Sequence, residues 1–431
     1  MADRLNLRER GFFAGRMGSS RLFLGRILSI LAAMVMAGPA VQAQTNTAPA
    51  KPYASINRNA VYYAGPGRET AKDLAGEHVT IGMILPLGGT REAEGRTLLQ
   101  AARLAIDEEV ASPLPDGRRL ALAVRDESGP WGQASNEIVR LVFEDQAVAL
   151  ITSFDGNIAH QAEQVANKIG VAVLTLSSDA TTTQINMPWI FRMGPSDADQ
   201  ARAFARHIHQ ERGLRKVLLL AQADHDGRVG SEEFEKAARE LHAPPPDRLE
   251  IASPAAGLEG LAEQVDRRNP EAIVVWSDAA TAGELLPFLR SAKRAVPIYL
   301  CSKAVPPSGR SEEALPGGFA APGEEKDAGV WMVISAASAQ RAVRQEFEQR
   351  YHARTGARPS VAAAETYDAV RVIGAALRRA GANRVRLRDQ LAAGGEFQGT
   401  TGIISFDTAG NARGNVVLVK LHGAPGISSA F

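Results

Sequence analysis

From Val79 onward the chain alternates short apolar runs with amphipathic stretches, and this alternation constrains its fold more than any other feature. The runs VTIGMILPL (79–87), LALAVRDE (120–127), AVALITSF (147–154), VAVLTLS (171–177) and KVLLLAQ (216–222) are nearly continuous in apolar residues, as strands buried on both faces must be. Between them, Gly95–Val110, Ala134–Glu144, His160–Lys168 and Ala198–Glu211 carry apolar residues at helical spacing. A second series follows: helices Ser231–Leu241 and Leu258–Arg268, strand AIVVWS (272–277), helix Ala280–Ala292 and strand PIYLCS (297–302). The late chain differs, with helices Arg341–Thr355 and Ala363–Ala380, then GIISFD (402–407), a TAGN turn and VVLVKL (416–421) read as a β-hairpin. Repeated βα units in two blocks predict an α/β fold of two similar lobes with parallel-sheet cores. Such sheets bind ligands outside the carboxyl ends of their strands, so the loops there hold the candidate site.

The chain of 431 residues is 45% hydrophobic and 23% charged, which suits two globular domains. The apolar run Ile27–Gly38 is too short to span a bilayer, follows Arg21 and Arg26, and precedes the small-residue site Val41-Gln42-Ala43. Residues 1–43 therefore read as a signal peptide, with translation starting at Met1 or Met17. Its removal takes away six arginines and two acids, leaving a slightly acidic chain with no concentrated basic surface for nucleic acid. Residues 44–78 are polar and aperiodic, an extended arm whose aromatics are Tyr53, Tyr62 and Tyr63. The single cysteine, Cys301, leaves no intramolecular disulfide and no Cys-based zinc site. No cysteine follows the signal run to carry a lipid, so the product is expected free in the periplasm, not membrane-anchored, and monomeric.

Motifs for catalysis are absent: there is no GxSxG elbow, P-loop, HExxH, CxxC, or GxGxxG after a strand. His207 and His209 stand two apart on a helix and face different ways. His225, between Asp224 and Asp226, reads as a solvated turn residue. Asp407–Asn411 lacks the distal Glu of a calcium loop and reads as a turn. The expectation is a protein that is not an enzyme.

Six stretches in order then carry a resemblance: IGMILPLGG (81–89), VRDESG (124–129), GVAVLTLSSDAT (170–181), WIFRMGPSDADQA (189–201), AETYDAVRVIGAALRRAG (364–381) and TGIISFDTAGN (401–411). Together the chain resembles the periplasmic substrate-binding proteins of ABC importers, of the branched-chain amino acid (Leu/Ile/Val) type. The resemblance implies two Rossmann-like lobes joined by three crossings that close on a ligand. It puts lobe one at 79–197 plus 327–402, lobe two at 198–326 plus 403–421, and a tail at 422–431. It also implies ABC permease and ATPase partners.

The same resemblance places the ligand-gripping positions. In the loop TSFDGN, Asp155 or Gly156 stands where relatives have a serine. In TLSSDAT, Ser177 and Ser178 keep the hydroxyls, but Asp179 replaces a threonine. Asp226 and Asp278 take positions usually aromatic, TREAEG offers Arg91 and Glu94, and Lys303 lies near the usual ammonium-gripping acid. Four acids in one cleft would repel an α-carboxylate, so a branched-chain amino acid is disfavoured. Carboxylates without histidine or cysteine nearby suit a hard cation, so Asp155, Asp179, Asp226 and Asp278 are expected to hold calcium or a lanthanide as ligand, with no cofactor required. The chain also resembles a branch of that family that looks to be associated with alcohol dehydrogenases using pyrroloquinoline quinone (PQQ), whose cofactor site holds calcium or a lanthanide. The competing readings are helix capping by the aspartates, an organic cation against Trp131 and Trp276, an amide-type ligand, a quinone-like anion gripped by Arg91 and Lys303, and a sensor or scaffold that feeds no importer.

Overall fold

The computed structural model describes residues 72–110, 113–130, 132–184, 187–252, 258–291, 296–305, 329–335, 341–414 and 416–421. Residues 1–43, read above as a signal peptide, most of the expected arm, Trp131 and the tail 422–431 lie outside them. No helix among the described residues is long and apolar enough to cross a membrane.

The first sheet is built from β1 (His78–Leu85), β2 (Arg119–Asp126), β3 (Ala149–Thr152), β4 (Ala172–Thr175) and β5 (Ile190–Arg192). Its order is β2-β1-β3-β4-β5, every pair parallel. Strand alternation sends Val79, Ile81, Met83 and Leu85 into one core and Ile84 into another, on opposite faces. The first core is closed by α1 (Glu92–Val110) and by α10 (Val361–Ala380) from the late chain, through residues such as Leu98, Val370 and Ile373. The second lies beneath α2 (Gln133–Phe143) and α3 (Gly156–Ile169) and contains Ile138, Leu141, Ala162 and Trp189. At Gly82 any side chain would drive a Cβ to 2.8 Å from Leu150, which is why this strand carries a glycine on that face.

The second sheet contains β6 (Val217–Gln222), β7 (Asp247–Ile251), β8 (Ala272–Trp276), β9 (Ile298–Leu300), β10 (Val330–Ser335) and β13 (Val416–Leu421), in the order β13-β10-β9-β8-β6-β7. All neighbours are parallel except β13, which runs antiparallel on β10. Its core gathers Leu219, Val274, Tyr299 and Met332 with Phe204 of α5 (Asp197–Ala205) and Leu285 of α8 (Ala279–Ser291). α5 enters this lobe under a reciprocal cap, the Ser196 hydroxyl accepting from Asp199 N–H and the Asp199 carboxylate from Ser196 N–H. It continues as π-helical turns, Arg206–Glu211, rather than as one α-helix to Glu211.

Four expectations change. Strand β10 pairs with β9, so lobe one does not begin at 327; the chain returns to it with α9 (Arg341–Thr355), whose Phe347 and Tyr351 enter the first core. Ile404 and Phe406 also pack in that core, so lobe two resumes only at Val416, not at 403. The expected hairpin does not form: Ile403–Ile404 (β12) pairs with Phe397–Gln398 (β11), and β13 joins β10 instead. Strands β5 and β7 were not anticipated, because IFR is three residues long and DRLEI is charged on alternate positions at a sheet edge.

Candidate functional site

Both sheets have one strand whose neighbours lead to opposite sides, β1 in the first and β6 in the second. At such switch points the loops after the strands diverge and leave a crevice. The loops after β1, β3 and β4 therefore face those after β6 and β9 across a cleft.

After β3 the chain turns into α3 under the Asp155 cap, whose Oδ1 accepts from Asn157 N–H at 2.9 Å and Ile158 N–H at 3.3 Å. Its Oδ2 accepts from Arg91 at 2.9 Å. Burial alone would raise the Asp155 pKa, but Lys303, Arg91 and those two amides hold it below the ordinary value. Arg91, in the turn after β1, also binds Glu127 at 3.0 Å and grips Glu94 through two nitrogens at 2.6 and 3.1 Å. Glu127 accepts from the Ser153 hydroxyl at 2.8 Å, but its Oε2 is buried without a partner. Burial pushes Glu127 up to about 8 against the pull of Arg91.

The loop after β4 is committed internally. Ser177 Oγ accepts from Asp179 N–H at 3.2 Å, while Arg192 donates to the carbonyls of Ser178 and Asp179, each at 2.9 Å. Asp179 Oδ1 accepts from the N–H and the hydroxyl of Thr181 at 2.8 and 2.7 Å. Its Oδ2 meets two imidazoles, His160 Nε2 of α3 at 3.1 Å and His225 Nε2 at 2.7 Å. Burial opposes the Asp179 charge, yet the two imidazoles and Thr181 keep the carboxyl far below its usual range. Reciprocally, Asp179 and Glu163 push His160 up to about 9.

The second lobe contributes the start of α6 (His225–Glu240), capped by Asp224 onto Gly227 N–H at 2.8 Å. Asp226, in the first turn, accepts from Gly156 N–H of the first lobe at 3.0 Å and pairs with Lys303 of its own lobe. Burial opposes both charges of that pair; Asp226 and Asp155 nonetheless hold the Lys303 ammonium protonated. A Cβ at Gly156 would fall 2.4 Å from Asp226 Oδ1 and 2.9 Å from Asp179 Oδ2, so these two acids meet at one glycine.

The structure thus brings Arg91, Glu94, Asp155, Gly156, Asp179, Asp226 and Lys303 around one cleft. It does not gather four aspartates on one ion. Asp278 caps α8, accepting from Thr281 N–H at 2.8 Å, and accepts from Gln222 Nε2 at 3.0 Å, all within lobe two. The expectation that no histidine stands near the acids is corrected: His160 and His225 both bind Asp179, and His225 is not a merely solvated turn residue. Trp276 is no ligand wall, being buried in the second core with its Nε1 donating to Asp197 Oδ1 at 3.2 Å. His160, Glu163 and Glu127 escaped the sequence reading; the one signal was His160 and Glu163 spaced three apart just inside a helix.

Two α/β lobes with charged strand-end loops facing each other define a solute-binding trap. The family model for periplasmic binding proteins matches residues 78–424. The chain belongs to the periplasmic binding protein family, whose members are substrate-binding proteins acting in the periplasm. No curated protein sequence matches it significantly. Among solved structures it is similar to a leucine-binding protein from Thermotoga maritima (22% identity, TM-score 0.67, covering 80% of this chain and 96% of that one). A branched-chain amino acid transporter substrate-binding protein from Streptococcus pneumoniae, in complex with isoleucine, matches at 20% identity and TM-score 0.67, covering 82% and 98%. A solute-binding protein of an ABC transporter from R. palustris, in complex with benzoate, matches at 18% and 0.69, covering 80% and 94%. These likenesses establish the fold.

Proposed function

We propose that this protein is the periplasmic solute-binding component of an ABC import system, handing its ligand to permease and ATPase subunits, and that the ligand is a cationic solute. The observation that carries this reading is the charge balance of the cleft. Glu94, Glu127, Asp155, Asp179 and Asp226 face two permanent cations, Arg91 and Lys303, and most of the remaining charge is balanced by protons on Glu127, pushed up to about 8, and on His160, pushed up to about 9, which a bound cation can replace. Buried like charges are relieved by protons or by a bound cation. Structural neighbours hold isoleucine or benzoate, both bearing a carboxylate. Here the serine-rich loop that could cradle such a group has its carbonyls on Arg192 and its acid aimed at the cleft.

Ligands that bind only the folded protein raise its melting temperature. Melting is measured with Zn²⁺, Ca²⁺, La³⁺, spermidine, leucine and benzoate. The expected result is a shift with at least one cation and none with leucine or benzoate. A leucine or benzoate shift without any cation shift refutes the reading.

A further inference from the structure

We infer that His160, Asp179 and His225 form a site for a divalent transition-metal ion that ties the two lobes together. The inference rests on the cationic reading of the cleft and commits it to one class of cation, of zinc type rather than calcium or lanthanide type.

The geometry comes first. One ligand atom from each of the three residues lies within 4.8 Å of the others, and no other such group of three occurs among the described residues. Asp179 Oδ2 stands 3.1 Å from His160 Nε2 and 2.7 Å from His225 Nε2. For metal–ligand bonds of about 2.1 Å, neighbouring ligand atoms lie roughly 3.0–3.4 Å apart; the two oxygen–nitrogen distances are near that range, and the two nitrogens, within 4.8 Å of each other, draw in as an ion binds. The two rings stand at 90° with centroids 5.7 Å apart, both nitrogens directed at the same oxygen.

The surroundings orient the donors as metal sites require. Glu163 Oε2 takes His160 Nδ1 at 3.1 Å, the carboxylate–histidine arrangement that fixes the ring and frees Nε2 for a metal. Thr181 occupies Asp179 Oδ1 by two hydrogen bonds, leaving Oδ2 as the outward donor. The Thr181 hydroxyl is also 2.9 Å from His160 Nε2, a further oxygen at the site. One contact opposes metal binding: Arg228 lies 3.2 Å from His225 Nδ1 and must swing away for that nitrogen to carry the proton. Arg228 is exposed and on the same helix, so it has solvent to move into.

Ligand chemistry sets the class. Two imidazoles and one carboxylate favour Zn²⁺, Co²⁺ or Ni²⁺, whereas Ca²⁺ and lanthanides take oxygen ligands alone. Three protein ligands leave coordination positions open for water or for a group carried by the metal. His160 and Asp179 belong to the first lobe and His225 to the second, so occupancy favours the closed arrangement.

The test is calorimetric titration of the protein with ZnCl₂ at pH 7, with CaCl₂, LaCl₃ and spermidine in parallel, on wild type, His160→Ala and His225→Ala. Co²⁺ absorption spectra on the same three proteins read nitrogen ligation directly, and circular dichroism verifies folding. The expected result is one Zn²⁺ per chain, displacing protons into the buffer, weakened about tenfold or more by either substitution, with the Co²⁺ bands changed in both variants. Absence of Zn²⁺ binding, or binding and spectra indifferent to both substitutions, overturns the site. Spermidine or La³⁺ binding without Zn²⁺ overturns the site but leaves the cationic reading standing; no cation binding at all overturns both.

Discussion

Asp179 of the first lobe and His225 of the second meet at 2.7 Å across the cleft. Asp179 is buried while the His225 side chain is 20% exposed, so the bond is a partly screened, charge-assisted contact between lobes. Its loss should favour separation. His225→Ala is expected to shift the closed population by about tenfold, the worth of one charge-assisted hydrogen bond. Solution scattering of the ligand-free protein, wild type against variant, measures this as a larger radius of gyration; an unchanged radius removes the contact from the closure.

Gly156 offers a sharper probe, because its N–H binds Asp226 and its Cα lies where two carboxylates converge. Its backbone needs no left-handed conformation, so alanine is acceptable locally. Gly156→Ala should therefore weaken ligand binding about tenfold or more through the clash with Asp226 across the cleft, with a smaller fall in melting temperature from the contact with Asp179 inside the first lobe. A variant that binds like wild type contradicts the closed geometry.

Lys303, itself buried, pairs with the half-buried Asp226 and offsets part of the burial that pushes its carboxyl up. Lys303→Met leaves that carboxylate without its partner and should destabilise by roughly 3–5 kcal/mol in urea unfolding. The double variant Lys303→Met, Asp226→Leu should recover much of the loss. Equal destabilisation of the single and double variants contradicts the pairing.

Glu365 of α10 is buried against Gly194, the crossing between lobes, and burial together with Asp368 pushes it up to about 8. Its folded value lies above the ordinary 4.5, so its contribution to stability is complete below that value and is lost as pH rises through about 8. The loss is on the order of a few kcal/mol. Melting temperatures from pH 5 to pH 9 should fall more steeply for wild type than for Glu365→Gln; parallel curves sink this assignment.

Much of the fold was legible because parallel strands buried on both faces leave unbroken apolar runs such as AVALITSF and KVLLLAQ. The edge strand Asp247–Ile251 was not, since DRLEI meets solvent on one side and keeps its charges. Val330–Ser335 was passed over although VWMVIS is an unbroken apolar run, and its pairing with Val416–Leu421 was hidden besides, because periodicity reports that a segment is a strand, never which distant strand it joins. At the site, the loops after strands pointed to Asp155, Asp179 and Asp226, but partners were invisible. His160 lies on a helix face like any polar residue, and only folding brings it within 3.1 Å of Asp179. Asp278 shows the converse, an acid at a promising position whose hydrogen bonds turn inward to cap its own helix.

The most direct test of the central claim is identification of the solute that co-purifies with the protein isolated from its native periplasm. The bound material is released by denaturation and examined by elemental analysis for metals and by mass spectrometry for organic ions. The account predicts a cation in stoichiometric amount, a divalent transition metal if the histidines hold it. Stoichiometric leucine, isoleucine or an aromatic carboxylate, with no metal and no organic cation, would contradict it.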